Sequence, residues 1–96
     1  MEQTERITKM EQSMERASAA VTELSAALRN YAAVQDDLAA LNEYYGSDEW
    51  KNDFADDEAG LLPATLKRGV LSEDGLWNLL VDHRELAERI KELASK

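Results

Sequence analysis

The 96-residue chain carries 11 Lys and Arg against 20 Asp and Glu, a net charge of −9, and 44 % of its residues are hydrophobic. That length suits one domain, and a cysteine count of 0 removes disulfides, thiol chemistry and cysteine-ligated zinc. The acidic balance disfavours direct contact with nucleic acid or an anionic membrane surface, and no stretch approaches the roughly 18 apolar residues of a membrane span.

Residues 1–45 contain no Gly and no Pro and are rich in Ala, Glu, Gln, Leu and Arg, a composition that favours helix. Apolar side chains recur at Ile7, Met10, Met14, Ala17, Val21, Leu24, Leu28 and Tyr31 in alternating steps of three and four, a heptad seam. The step changes at Val34, and Leu38, Leu41 and Tyr45 follow in a shifted register, so a uniform coiled coil is not expected beyond it. The spacing predicts one long helix within 1–45, from about 5 to 44 and roughly 60 Å long. The first residues are acidic where a secretory signal is basic and then apolar, so a cytoplasmic address is expected.

Gly46 ends that helix, and Ser47 caps a short one over 47–59, with Asp48 and Glu49 complementing its positive end. Trp50 and Phe54, four apart, share one face as its buried anchor. Gly60 closes it and Pro63 forces Leu62 out of helical geometry. Residues 60–71 read as an irregular connection with a helical turn near 64–67, and Leu61, Leu62, Leu66 and Leu71 suggest that it packs. Ser72 caps a last helix over 72–95, with Glu73 and Asp74 in its first turn. Its apolar row is Leu76, Leu79, His83, Leu86, Ile90 and Leu93, widened by Leu80 and Ala87. No run alternates as a strand does. The expected fold is all-α and a single helical domain over 1–96: a long N-terminal helix, a short middle helix, an irregular packed connection, and a C-terminal helix antiparallel to the first.

The chemistry of sites finds little to work with. One His and no Cys cannot assemble a zinc site. A calcium loop begun at Asp48 would put Trp50 where an oxygen ligand is needed and Asp53 where a glycine is needed, so that reading fails. A looser Mg²⁺ site at Asp53, Asp56 and Asp57 is the remaining metal reading, and a weak one. His83 reads as a partly buried seam residue in preference to a general base, since no Ser or Thr lies three or four positions from it in the helix. No catalytic, cofactor-binding or metal-binding residue is therefore assigned, and the chain is not expected to be an enzyme.

The charge is uneven. Residues 1–45 sum to −4, residues 46–60 to −5 and residues 61–96 to zero. Asp56, Asp57 and Glu58 crowd the C-terminal end of the short helix, where the dipole disfavours anions. Pairing with Lys67 or Arg68 inside the chain is the favoured explanation, and a basic surface on a partner the alternative. Asp53, Asp56, Asp57, Glu58, Lys67 and Arg68 are accordingly the candidate partner-binding residues. Tyr44, Tyr45, Trp50 and Phe54, with Trp77, read as core anchors before they read as binding hot spots.

From residue 44 the strings Tyr44-Tyr45-Gly46-Ser47, Trp50, Asp53, Asp57-Glu58-Ala59-Gly60, Leu62-Pro63 and Leu66-Lys67-Arg68-Gly69-Val70-Leu71-Ser72-Glu73-Asp74 stand out. They resemble the family of small bacterial proteins known as domain of unknown function 4298. The resemblance implies a bacterial, cytoplasmic protein, and it carries over no activity, ligand or catalytic residue. Gly75 is a possible departure, being unhelpful in a first helical turn.

The expected function is that of a small acidic module whose helical surfaces bind a protein partner or a second copy of the chain. The alternative is an acidic charge mimic that fills the basic groove of a nucleic-acid-binding protein, and a carboxylate-based, metal-dependent activity ranks third. A last helix of about 35 Å cannot cover the whole seam of the first. Ile7, Met10, Met14, Ala17 and Val21 are therefore the candidate self-association residues of a homodimer, against the opposing expectation of a compact three-helix monomer.

Overall fold

Where the heptad step changes, the helix breaks. The computed structural model describes residues 2–96 except the side chain of Glu73, so the expected place of that carboxylate in a first turn lies outside the described residues. Helix α1 spans Gln3–Ala33 and α2 spans Gln35–Tyr44. Between them Val34 takes φ −104° and ψ 10°, and its N–H turns back to the carbonyls of Tyr31 and Ala32. The Gln35 side-chain amide donates to the same Tyr31 carbonyl at 2.9 Å, in place of the backbone bond a continuous helix would make from residue 35. Asp36 and Asp37 then fall in the first turn of α2, where the positive end of a new helix favours them. One helix over 1–45 is thus corrected to two.

The chain divides into two compact units, Met1–Gln35 and Asp36–Lys96. In the first, the Glu2 carboxylate caps α1 by accepting from the Thr4 N–H at 3.4 Å. No described residue of α1 is buried.

The second unit is organised by its turns. Gly46, with φ +78°, makes the left-handed step that ends α2. Ser47 Oγ then accepts from the Trp50 N–H at 3.1 Å and donates to the Tyr44 carbonyl at 2.6 Å, joining the end of one helix to the start of the next. Helix α3 spans Asp48–Glu58. It closes at Gly60, φ +72°, where the Gly60 and Leu61 N–H groups reach back to the Asp57 and Asp56 carbonyls at 3.1 and 3.0 Å. That paired closure satisfies two carbonyls the helix would otherwise leave open.

The helical turn of the connection lies at Gly69–Leu71, a short 3-10 helix, and not near 64–67; residues 63–66 form a turn closed by the Leu66 N–H on the Pro63 carbonyl at 3.1 Å. Helix α4, Glu73–Ala94, begins at Ser72, whose Oγ accepts from the Gly75 N–H at 3.3 Å. The 3-10 helix packs against both α3 and α4. Around it lies the core: Trp50, Leu71, Leu76 and Leu80 are buried. Leu62 contributes from a half-buried position, while Leu61 and Leu66 are exposed, so the connection packs through two of its four apolar side chains. The apolar row of α4 is likewise shorter than its spacing suggests. Leu76 and Leu80 are buried, Val81 and His83 half-buried, and Leu79, Leu86, Ile90 and Leu93 exposed. The described residues contain helices and no strand, and none of these helices is long and apolar enough to cross a membrane.

Candidate functional site

The acidic end of α3 is knitted into the unit that carries it. Asp57 Oδ1 lies 2.6 Å from Arg68 Nη1, the internal ion pair expected from charge placement. The same guanidinium donates through Nη2 to the Pro63 carbonyl at 3.0 Å and, at the long limit of 3.5 Å, through Nε to that of Leu66. Arg68 therefore straps the connection to α3, and its planar fork suits three acceptors at once. With side chains 36 % and 23 % exposed, the pair is partly screened by water.

Asp53, one turn earlier on the same side of α3, is also engaged. The Tyr44 hydroxyl donates to its Oδ2 at 2.6 Å, linking the last residue of α2 to the middle of α3. The Tyr44 pKa is pushed up from the usual 10 to about 12, first by that hydrogen bond, then by burial, then by the negative charges of Asp53 and Glu49. At neutral pH the phenol is thus a fixed donor, unsuited to act as a base. Beside it, Ala40, Glu43, Tyr44, Ser47, Asp48 and Glu49 line an open depression with three carboxylates at its rim.

Of the six residues singled out for partner binding, the structure brings Asp57 and Arg68 together and gives Asp53 to Tyr44; Asp56, Glu58 and Lys67 are exposed. Among the described residues no three His, Asp or Glu side chains converge as a metal ion would need. Of the aromatic cluster only Trp50 is buried, with Tyr44, Tyr45 and Phe54 half-buried around it. Trp50 stacks on Phe54 at 5.3 Å and meets Tyr45 at 5.2 Å, while its indole N–H donates to the Val70 carbonyl at 2.9 Å. Trp77 lies at the margin, 6.2 Å from Tyr45 and half exposed.

Among the contacts that spacing did not anticipate are two side-chain bonds of α3: the first joins Tyr44 to Asp53, the second Trp50 to Val70. The first had a usable signal, because a glycine turn at 46 between two helices brings the end of one beside the next. The second had none, since any carbonyl can accept from an indole.

The self-association candidates occupy a different surface. Ile7, Met10, Met14, Ala17 and Val21 all lie exposed on α1, and Leu24 and Leu28 continue the exposed row. The bare seam is longer than the stretch 7–21 expected.

A family model described as Domain of unknown function (DUF4298) matches residues 7–93. No curated protein and no solved structure matches the chain.

Proposed function

The chain belongs to the DUF4298 family, and from that premise we propose that it is a non-catalytic interaction module, with Asp36–Lys96 as the folded unit and α1 as the interaction helix. One observation carries the reading. The large apolar side chains at heptad positions 7, 10, 14, 21, 24 and 28 are between 43 % and 68 % exposed. Single exposed apolar residues are ordinary, but six in register along one helix form a continuous strip whose burial is favourable. The acidic charge-mimic reading has less support, because Asp53 and Asp57 are held by Tyr44 and Arg68.

A photo-reactive amino acid placed at Met14 in the full chain, inside the native host, tests the proposal. The seam position is expected to capture a protein, whether a second copy or another chain, and the outward Glu15 position to capture none. Equal labelling at both, or no adduct at Met14, overturns it.

A further inference from the structure

Resting on that reading, we infer that the occupant of the α1 seam is a second copy of the chain, bound antiparallel. Charge argues for a second copy. Helix α1 holds four acids (Glu5, Glu11, Glu15, Glu23) and four bases (Arg6, Lys9, Arg16, Arg29), net zero, inside a chain of −9. Residues 36–96 hold 15 acids and 7 bases, net −8. All of that excess lies in residues 36–60, since residues 61–96 sum to zero, so two copies repel most where those acidic residues meet and little along the neutral α1.

The pattern within α1 sharpens the point. With Ile7 and Met14 at a and Met10 and Ala17 at d, every charge between 12 and 33 (Glu15, Arg16, Glu23 and Arg29) falls at b or c, facing away from a partner. The flanking e and g positions there are Ser or Ala throughout. Small uncharged flanks let two such helices approach closely and place no like charges opposite one another. A strongly basic partner would find no acidic counterpart on this face beyond Glu11 at its N-terminal end.

Direction follows from the same numbers. Centred on residue 19, an antiparallel pair sets each a residue against a d residue: Met14 against Leu24, Leu28 against Met10, and Val21 against Ala17. The small Ala17 then meets the larger Val21, whereas a parallel pair would stack Ala17 on Ala17 and leave a gap. Antiparallel pairing also places the two points where the acidic residues 36–96 begin about 46 Å apart, the length of 31 helical residues. That is several times the screening length of about 8 Å. Parallel pairing would set them side by side. The strip from Ile7 to Leu28, about 32 Å by about 10 Å on each copy, presents roughly 600 Å² over both copies in projection, below the ~1,000 Å² that marks a lasting interface. The dimer is therefore reversible on dilution.

Light scattering on the full chain across a hundredfold dilution is expected to show a mass near twice 10.8 kDa falling toward the monomer. Leu24→Glu is expected to give monomer at every concentration with tryptophan emission unchanged, and Glu15→Gln to leave the dimer intact. Because the chain has no cysteine, Met10→Cys and Leu28→Cys chains can be mixed and oxidised. Antiparallel pairing gives the mixed disulfide and no Met10→Cys self-disulfide, whose sites would lie about 27 Å apart, well beyond the reach of the bond. A constant monomer mass, a dimer indifferent to Leu24→Glu, or a Met10→Cys self-disulfide overturns the inference. A constant monomer that still yields a foreign adduct at Met14 would sink the dimer and leave the interaction reading standing.

Discussion

The two halves of this chain use the same kinds of residue to opposite ends. In Met1–Gln35 a regular heptad row spans almost the whole helix and buries nothing. In Asp36–Lys96 the apolar residues are less regular, yet four of the described side chains are buried in and around a three-residue 3-10 helix. Periodicity, then, says that a face exists; it does not say that the same chain covers it. What distinguishes the second unit is its turns. Gly46, Ser47, Gly60 and Ser72 mark the turns between its helices, whereas Met1–Gln35 holds one helix and the break that ends it.

The comparison can be broken most forcefully at Trp50. Its ring is buried and its N–H engaged, so Trp50→Ala is expected to cost the second unit roughly 3–5 kcal/mol, read as a lower urea midpoint. An unchanged midpoint would mean that the core lies elsewhere. Arg68→Ala removes the strap from Asp57 and the Pro63 carbonyl, an expected loss of about 1–2 kcal/mol. A double-mutant cycle with Asp57→Asn should assign at most about 1 kcal/mol of that to the half-screened ion pair itself.

Tyr44→Phe comes next, at about 1 kcal/mol for one lost hydrogen bond. It also changes the pH dependence. The Tyr44 pKa is raised in the folded chain, so the native state keeps a proton that the unfolded state releases near pH 10. Its contribution is complete below pH 10 and is lost as pH rises toward about 12. A denaturation series across pH 10–12 should therefore show a steeper alkaline decline for wild type than for Tyr44→Phe.

Gly75→Ala moves stability the other way. The atoms nearest to a Cβ there would be those of the Ser72 side chain and the Gly69 carbonyl, at 3.5–3.7 Å, which is ordinary contact. The substitution is expected to raise the melting midpoint by the equivalent of about 0.5–1 kcal/mol. The smallest effect is predicted on α1: Met14→Ser should change the stability of the second unit by less than about 0.5 kcal/mol in a urea melt, because the side chain is 60 % exposed.

Much of the fold was legible in the residues. Both serine caps, both positive-φ glycines and the buried Trp50 follow from local rules that act within four residues. The slip at Val34 was visible as a change of step, but spacing does not say whether a slip bends a helix or severs it; here the Val34 N–H and the Gln35 side chain both turn to the Tyr31 carbonyl. Leu79, Leu86, Ile90 and Leu93 show the limit of periodicity: they continue the row of Leu76 and Leu80, yet only the first turns of α4 meet the 3-10 helix. At the candidate site, charge placement pointed to the pairing of Asp57 with Arg68. The hold of Tyr44 on Asp53 depends on the geometry of a turn, which spacing alone does not specify.

The placement of the two indoles has an optical consequence. Trp50 is buried against Phe54 and Trp77 is half exposed, and both belong to Asp36–Lys96, while α1 contains no tryptophan. Tryptophan emission is thus a private signal of the second unit, with one emitter shielded from a soluble quencher and one open to it. Circular dichroism, by contrast, sums the helices of both units. Melting curves followed by the two methods will separate if α1 frays on its own, and will coincide only when something holds α1 to the same fate as the rest of the molecule.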